Sequence, residues 1–193
     1  SGSMSQSIGG YQDGSVVKLS SDLSNLIWGT YVGGSEEECA FSLKVNTAGD
    51  VIVCGYTTSS DFPVSPNAME PNYHGNLDGY VLVLDGATGN RISSTFLGTS
   101  SDDVAFILDT DLDDNIYVIG QTYGVYPVSN AVYSNPNSGQ FIHKVNSGLD
   151  QSLLSTVFGS GSISPNISPT AFMVDNCDNV YVSGWGGGFD NAT

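Results

Sequence analysis

Apolar and polar residues alternate along most of this chain in short runs, roughly five to eight residues each, separated by Gly, Asn, Asp and Ser. One pair of runs, ECAFSLKVNTAGDVIVCGYTT at 38–58, returns as DVAFILDTDLDDNIYVIGQTY at 103–123 and as TAFMVDNCDNVYVSGWGG at 170–187. Each copy has an Ala-Phe start, an alternating run, a polar turn, and a second run reaching Gly55, Gly120 or Gly184, a period of 64 to 65 residues. Alternation of period two predicts half-buried strands, and the turns predict hairpins. Recurrence at this period predicts stacked units that bury their apolar faces only against one another.

A second hairpin lies between these copies. DGSVVKLS at 13–20 recurs as DGYVLVLD at 78–85 and GQFIHKVN at 139–146, followed by IWGTYVGG, SSTFLGTS and LSTVFGSG. One repeat therefore holds four short antiparallel strands, the composition of a β-propeller blade. The expected fold is all-β, with repeat units at about 13–77, 78–138 and 139–193 inside a single domain at 11–193. The chain opens on the second hairpin of a unit and closes on the first, giving three hairpins of each kind. Since propellers typically have about four to eight blades, the reading is a partial propeller or one half of a dimeric ring.

Composition narrows the setting. With 20 acidic against 4 basic side chains the net charge is −16, which excludes nucleic acid and disfavours anionic membranes. No apolar run is long enough to span a membrane as a helix, and the low charged fraction suits a secreted β protein. The opening Ser1-Gly2-Ser3-Met4 looks like a cloning remnant, so residues 1–10 read as a tag and extension. Cys39, Cys54 and Cys177 form no evident framework. With a turn near Ala48 and Gly49, Cys54 faces Leu43 and Cys39 lies about 13 Å further along the hairpin, beyond disulfide reach.

Several residues invite chemical readings. Asp109, Asp111 and Asp113 alternate in DTDLDDN, a spacing able to offer oxygens to Ca²⁺. Copy one has Lys44, Asn46 and Ala48 there, so the spacing is no property of the repeat, and Asp111 is equally explained by bonding to its own turn. The acidic groups at 36–38 and 102–103 suit turn capping better than paired-carboxylate hydrolysis. His143 replaces Val17 and Leu82 on a strand and reads as a hydrogen-bonded interior or rim residue rather than a base or ligand, while His74, with Tyr73, lies in a long loop and could line a rim pocket. The Pro-, Asn- and Tyr-rich loops at 57–79 and 122–139, with Phe62 and Tyr126, form the expected interaction rim; both rings also suit a plug between units. Trp185 in the Gly-rich end joins them as a candidate ligand contact. No nucleophile elbow or phosphate loop is present.

The stretch TTSSDFPVSPNAMEPNYHGNLDGYVLVLD, echoed as VYPVSNAVYSNPN, resembles the bacterial repeat often called the seven-bladed β-propeller repeat. NISPTAFMVDNCDNVYVSGWGG is similar to a variant common in large secreted surface proteins of gliding Bacteroidetes. The resemblance covers nearly all of the chain after residue 10. It implies a secreted or cell-surface location and a scaffold or adhesion module without catalysis of its own, binding a protein or glycan at the loop rim. The alternative is a propeller-type enzyme, a lyase or glycosidase acting on polysaccharide. Such an enzyme should break the repeat symmetry with unmatched His, Tyr or acidic side chains.

Overall fold

The computed structural model describes residues 7–131 and 133–186. Its strands are β1 (Gly14–Leu19), β2 (Leu26–Val32), β3 (Glu38–Val45), β4 (Val51–Thr57), β5 (Asp78–Leu84), β6 (Arg91–Leu97), β7 (Asp103–Thr110), β8 (Ile116–Thr122), β9 (Gln140–Val145), β10 (Ser152–Phe158), β11 (Ile167–Val174) and β12 (Val180–Gly186). The fold is all-β, and no helix occurs among the described residues, so none there crosses a membrane as a helix. Strands β3 to β6 form one four-stranded sheet in chain order, β7 to β10 form a second, and β1-β2 and β11-β12 are two-stranded. All these pairings are antiparallel. Each full sheet therefore takes its first hairpin from one repeat unit and its second from the next.

Alternation along the strands sends side chains to two different interfaces. Val53 on β4, with Tyr80 and Leu82 on β5, packs with Val16 and Val32 of the β1-β2 hairpin. Their neighbours Ile52, Cys54, Val81 and Val83 pack with Ile116, Val118, Phe141 and Val157 of the second sheet. Beyond that sheet, Tyr117 and Ile119 meet Phe172 and Val174 of β11-β12. The order is hairpin, sheet, sheet, hairpin, with an apolar layer at each contact. Strand β5 is buried along its whole length because both of its faces are covered, which explains its unbroken apolar run.

The turns follow side-chain chemistry. Asn46 Oδ1 accepts from the Asp50 amide, Asp111 Oδ1 from Asp113 and Asn115, and Asp175 Oδ1 from Cys177 and Asn179. Asp114 and Asp178 then take positive φ, 59° and 62°, where copy one uses Gly49. The β3-β4 turn centres on Ala48, so Cys54 faces Ser42, one place from Leu43, and all three cysteines are free.

The third copy needs a correction. Phe41 and Phe106 are bulged residues, opposite the Cys54–Gly55 and Ile119–Gly120 steps, and their rings stack 5.3 Å apart. In β11 the bulge falls at Thr170, since Pro169 faces Gly184 and Ala171 faces Ser183. The Ala171-Phe172 pair is therefore two places out of step with the other Ala-Phe pairs. Hydrogen-bond register, which follows the glycine, overrides the likeness of the letters.

Candidate functional site

The cleft between the two four-stranded sheets holds a polar departure from the repeat. Tyr126, His143 and Ser152 stand where the first sheet has Phe62, Leu82 and Arg91. Their placement begins with the loop after β8. Ser129 pairs with Ser155 on β10 through both backbone amides, and Ser155 Oγ donates to the Pro127 carbonyl at 2.7 Å. This lays Tyr126 flat on Phe141, with ring centroids 4.0 Å apart and planes 5° apart. The loop after β4 is fastened in the same way, through Ser65, Ser94 and Pro63.

Tyr126 Oη then lies 2.9 Å from His143 Nδ1, and His143 Nε2 lies 2.8 Å from Ser152 Oγ. Burial pushes the His143 pKa down to about 4, so the ring is neutral at pH 7. Burial, then the charge of Asp103, pushes the Tyr126 phenol far up. A neutral imidazole has one donor and one acceptor nitrogen, and the flanking hydroxyls satisfy either tautomer. The cleft beside this chain is about 190 Å³ and carries Met69, Glu70 and Gly98 on its other wall. A histidine so resistant to protonation is a weak general base. The arrangement is best suited to orienting hydroxyls at the floor of a small polar-edged cleft.

The remaining candidates are distributed around the molecule. Phe62 is buried against Tyr80 at 4.6 Å and Phe96 at 5.9 Å, a plug between the β1-β2 hairpin and the first sheet. Tyr73 leans on Phe96, and its hydroxyl donates to the Asn76 carbonyl at 2.5 Å. His74 Nε2 lies 3.1 Å from Glu70 Oε1, so these loop residues come together at the rim. Trp185 stands apart on β12 with 72% of its surface exposed. Residues 187–193, the rest of the Gly-rich end, lie outside the described residues.

The three aspartates do not converge on one centre. Asp109 accepts from Lys44 of β3 and from the Val174 amide of β11, tying three first strands together. Burial opposes its charge, yet these bonds outweigh burial and hold its pKa below the usual range. Asp111 faces Lys144 at 2.8 Å, and Asp113 lends only its amide to the turn. Among the described residues no group of three or more His, Cys, Asp or Glu side chains is placed to hold a metal ion.

Sequence reasoning passed over Ser152 and Asp78. Ser152 meets His143 only through the pairing of β9 with β10, and nothing in its local sequence signals that. Asp78 and Asp103, in contrast, recur at fixed places in the repeat (Asp13 and Glu38 in copy one), which is a signal the sequence does carry. No protein-family model matches the chain, and no curated protein matches it.

Proposed function

We propose that this chain is a non-catalytic scaffold and interaction module of a secreted or cell-surface bacterial protein, built as consecutive blades of a β-propeller. The observation that carries this reading is the pair of half-sheets. β1-β2 corresponds to the second hairpin of each full sheet, and β11-β12 to the first. In the full sheets the edge of β4 or β8 is covered by β5 or β9. The equivalent edge of β12 has no strand partner among the described residues. Beside it runs an apolar groove of about 400 Å³ lined by Ile142, Phe158, Val180 and Val182. Ile142 and Phe158 correspond to Val81 and Leu97, which the neighbouring sheet buries in the first full unit. An open edge above an apolar groove is a template for strand addition.

The natural occupant is a hairpin of the β1-β2 type, from a second copy or from a longer chain. By the internal registers, Gly184 would face Ser15 and Val180 would face Leu19. The rim loops with Tyr73, His74 and the 123–138 segment then present aromatic and amide groups to a protein or glycan. The alternative, a propeller-type enzyme acting on polysaccharide, draws on the Tyr126–His143–Ser152 chain, a cluster that breaks symmetry in the way such an enzyme would. Light scattering together with a glycan array and a hydrolase panel separates these readings. Glycan or self-association without turnover supports the scaffold; cleavage of any polysaccharide, lost in Ser152→Ala, overturns it.

A further inference from the structure

Two carboxylates meet in the junction between the full sheets. A methyl group on Gly98 would lie 3.1 Å from Asp78 Oδ1 and 3.2 Å from Asp103 Oδ2, so both acids converge on the same bare stretch of backbone. Both residues are fully buried. Asp78 is held from one side by the amides of His74 and Gly75, at 2.8 and 2.9 Å. Asp103 Oδ2 accepts from the Thr99 amide and hydroxyl, at 2.6 and 2.8 Å. Asp103 Oδ1 accepts from nothing, because the nearby Thr122 hydroxyl is directed to the Gly124 carbonyl at 3.4 Å. A buried carboxylate oxygen without a donor is costly when charged and becomes a donor once protonated.

The other copies fill the same junction differently. Around Gly33, Asp13 and Glu38 converge, but Glu38 Oε1 accepts from Thr57 and Oε2 from the Gly34 amide, so both oxygens are satisfied. Around Gly159 the side chains of Gln140 and Asn166 converge instead, each one place from the positions of the acids; with the Gln140 amide oriented to satisfy its neighbours, its nitrogen donates to Asn166 Oδ1 at 2.9 Å.

We infer that Asp78 and Asp103 form a proton-dependent clasp between the two four-stranded sheets: one proton held on the pair keeps the junction tight, and its release to solvent leaves two negative charges facing in a dry site. Neither acid has an ion-pair partner among the described residues. The groups that act on them are His74 and Glu70, paired with each other on the loop before β5, and Tyr73 on that loop. Asp102, next to Asp103, and Glu38 on β3 act on Tyr73 from the same side, and Tyr126 faces Asp103 from the loop after β8. Among these groups only His74 is neither acidic nor phenolic, and Glu70 already engages it. Burial first, and then the charge of Asp78, raise the Asp103 pKa to about 6, against the lowering effect of the nearby Thr122 hydroxyl and the Thr99 hydrogen bonds; Asp78 is raised too, chiefly by burial. A folded-state pKa above the unfolded value of about 4 contributes stability that is full below pH 4 and is lost as pH rises through 6.

Carboxyl ¹³C NMR titration of the labelled chain tests this directly. The expected result is one aspartate titrating near pH 6 in the wild type and absent in Asp103→Asn. If every aspartate titrates below pH 5, the inference fails. Thermal melts supply a second readout: Asp103→Asn, whose amide stands in for the proton, should raise Tm more at pH 8 than at pH 5. An equal change at both pH values contradicts the clasp. The wild-type titration decides even if Asp103→Asn does not fold, and Asp78→Asn removes the same like-charge contact. If millimolar CaCl₂ raises the wild-type Tm at pH 8 and this rise is lost in Asp103→Asn, the pair holds a cation and the proton reading is overturned.

Discussion

The two four-stranded sheets share strand order, pairing and loop fastening, yet their interiors are built from different chemistry. In the first, Phe62 packs on Tyr80, whose hydroxyl leaves the core to donate to the Cys39 carbonyl at 3.0 Å, and Leu82 lies beside them. In the second the aromatic pair is exchanged: Tyr126 packs on Phe141, and the hydroxyl now points inward. A buried phenol needs a partner, and His143 at the place of Leu82 supplies it, with Ser152 satisfying the far nitrogen. The frame is thus independent of the filling. What the frame does require is glycine where β4 and β8 pass beneath a neighbouring carbonyl and ring.

The largest effects should fall on that shared frame. A methyl at Gly55 would collide with the Cys39 carbonyl, and one at Gly120 with the Phe141 ring and the Val104 carbonyl. Because the obstacle includes backbone, Gly55→Ala and Gly120→Ala should each cost about 3 kcal/mol or more in urea unfolding. A loss under 1 kcal/mol at either would show that the strand can shift. Truncating the plugs comes next. Phe62→Ala should cost about 3–5 kcal/mol, and Tyr126→Ala at least as much, because it also strips His143 of a partner.

Asp109→Ala should cost about 2 kcal/mol, since it leaves the Val174 amide without its acceptor. Lys44→Met should cost less, because the Lys44 side chain is 43% exposed. If the two variants lose equal stability, the amide is not what matters. The pH response of the second interior gives a subtler contrast. The His143 pKa is depressed by burial, so its contribution to stability is full above about 6.5 and is lost as pH falls toward 4. His143→Leu should therefore gain on the wild type between pH 6.5 and 4, measured by thermal melts. A constant difference would mean the ring is protonated without penalty.

Much of the frame could be read from the sequence because its signals are local. Strand alternation, the Asx-type turns at Asn46, Asp111 and Asp175, and the glycine anchors all act within a few residues. The Ala-Phe pair of copy three is out of step because the letters carry no information about hydrogen-bond register. The aspartate trio parts in space for a related reason. Asp109 ends a strand and reaches sideways to Lys44 and Val174, whereas Asp111 already belongs to the turn and meets Lys144, so their alternate spacing does not put them on one face. The cleft is half legible: Tyr126 and His143 stand out in the sequence, but Ser152 depends on the pairing of β9 with β10; Asp78 and Asp103 recur visibly, while their convergence depends on how the sheets pack.

A double-mutant cycle at Tyr126 and His143 tests most directly whether one frame carries two interchangeable interiors. Tyr126→Phe and His143→Leu should each lose about 1–3 kcal/mol, because each leaves a buried polar group without its partner. The double variant, which restores the apolar pattern of the first sheet, should return close to wild-type stability. Losses that simply add would mean that the two residues are not coupled, and that the second interior is not a substitute for the first.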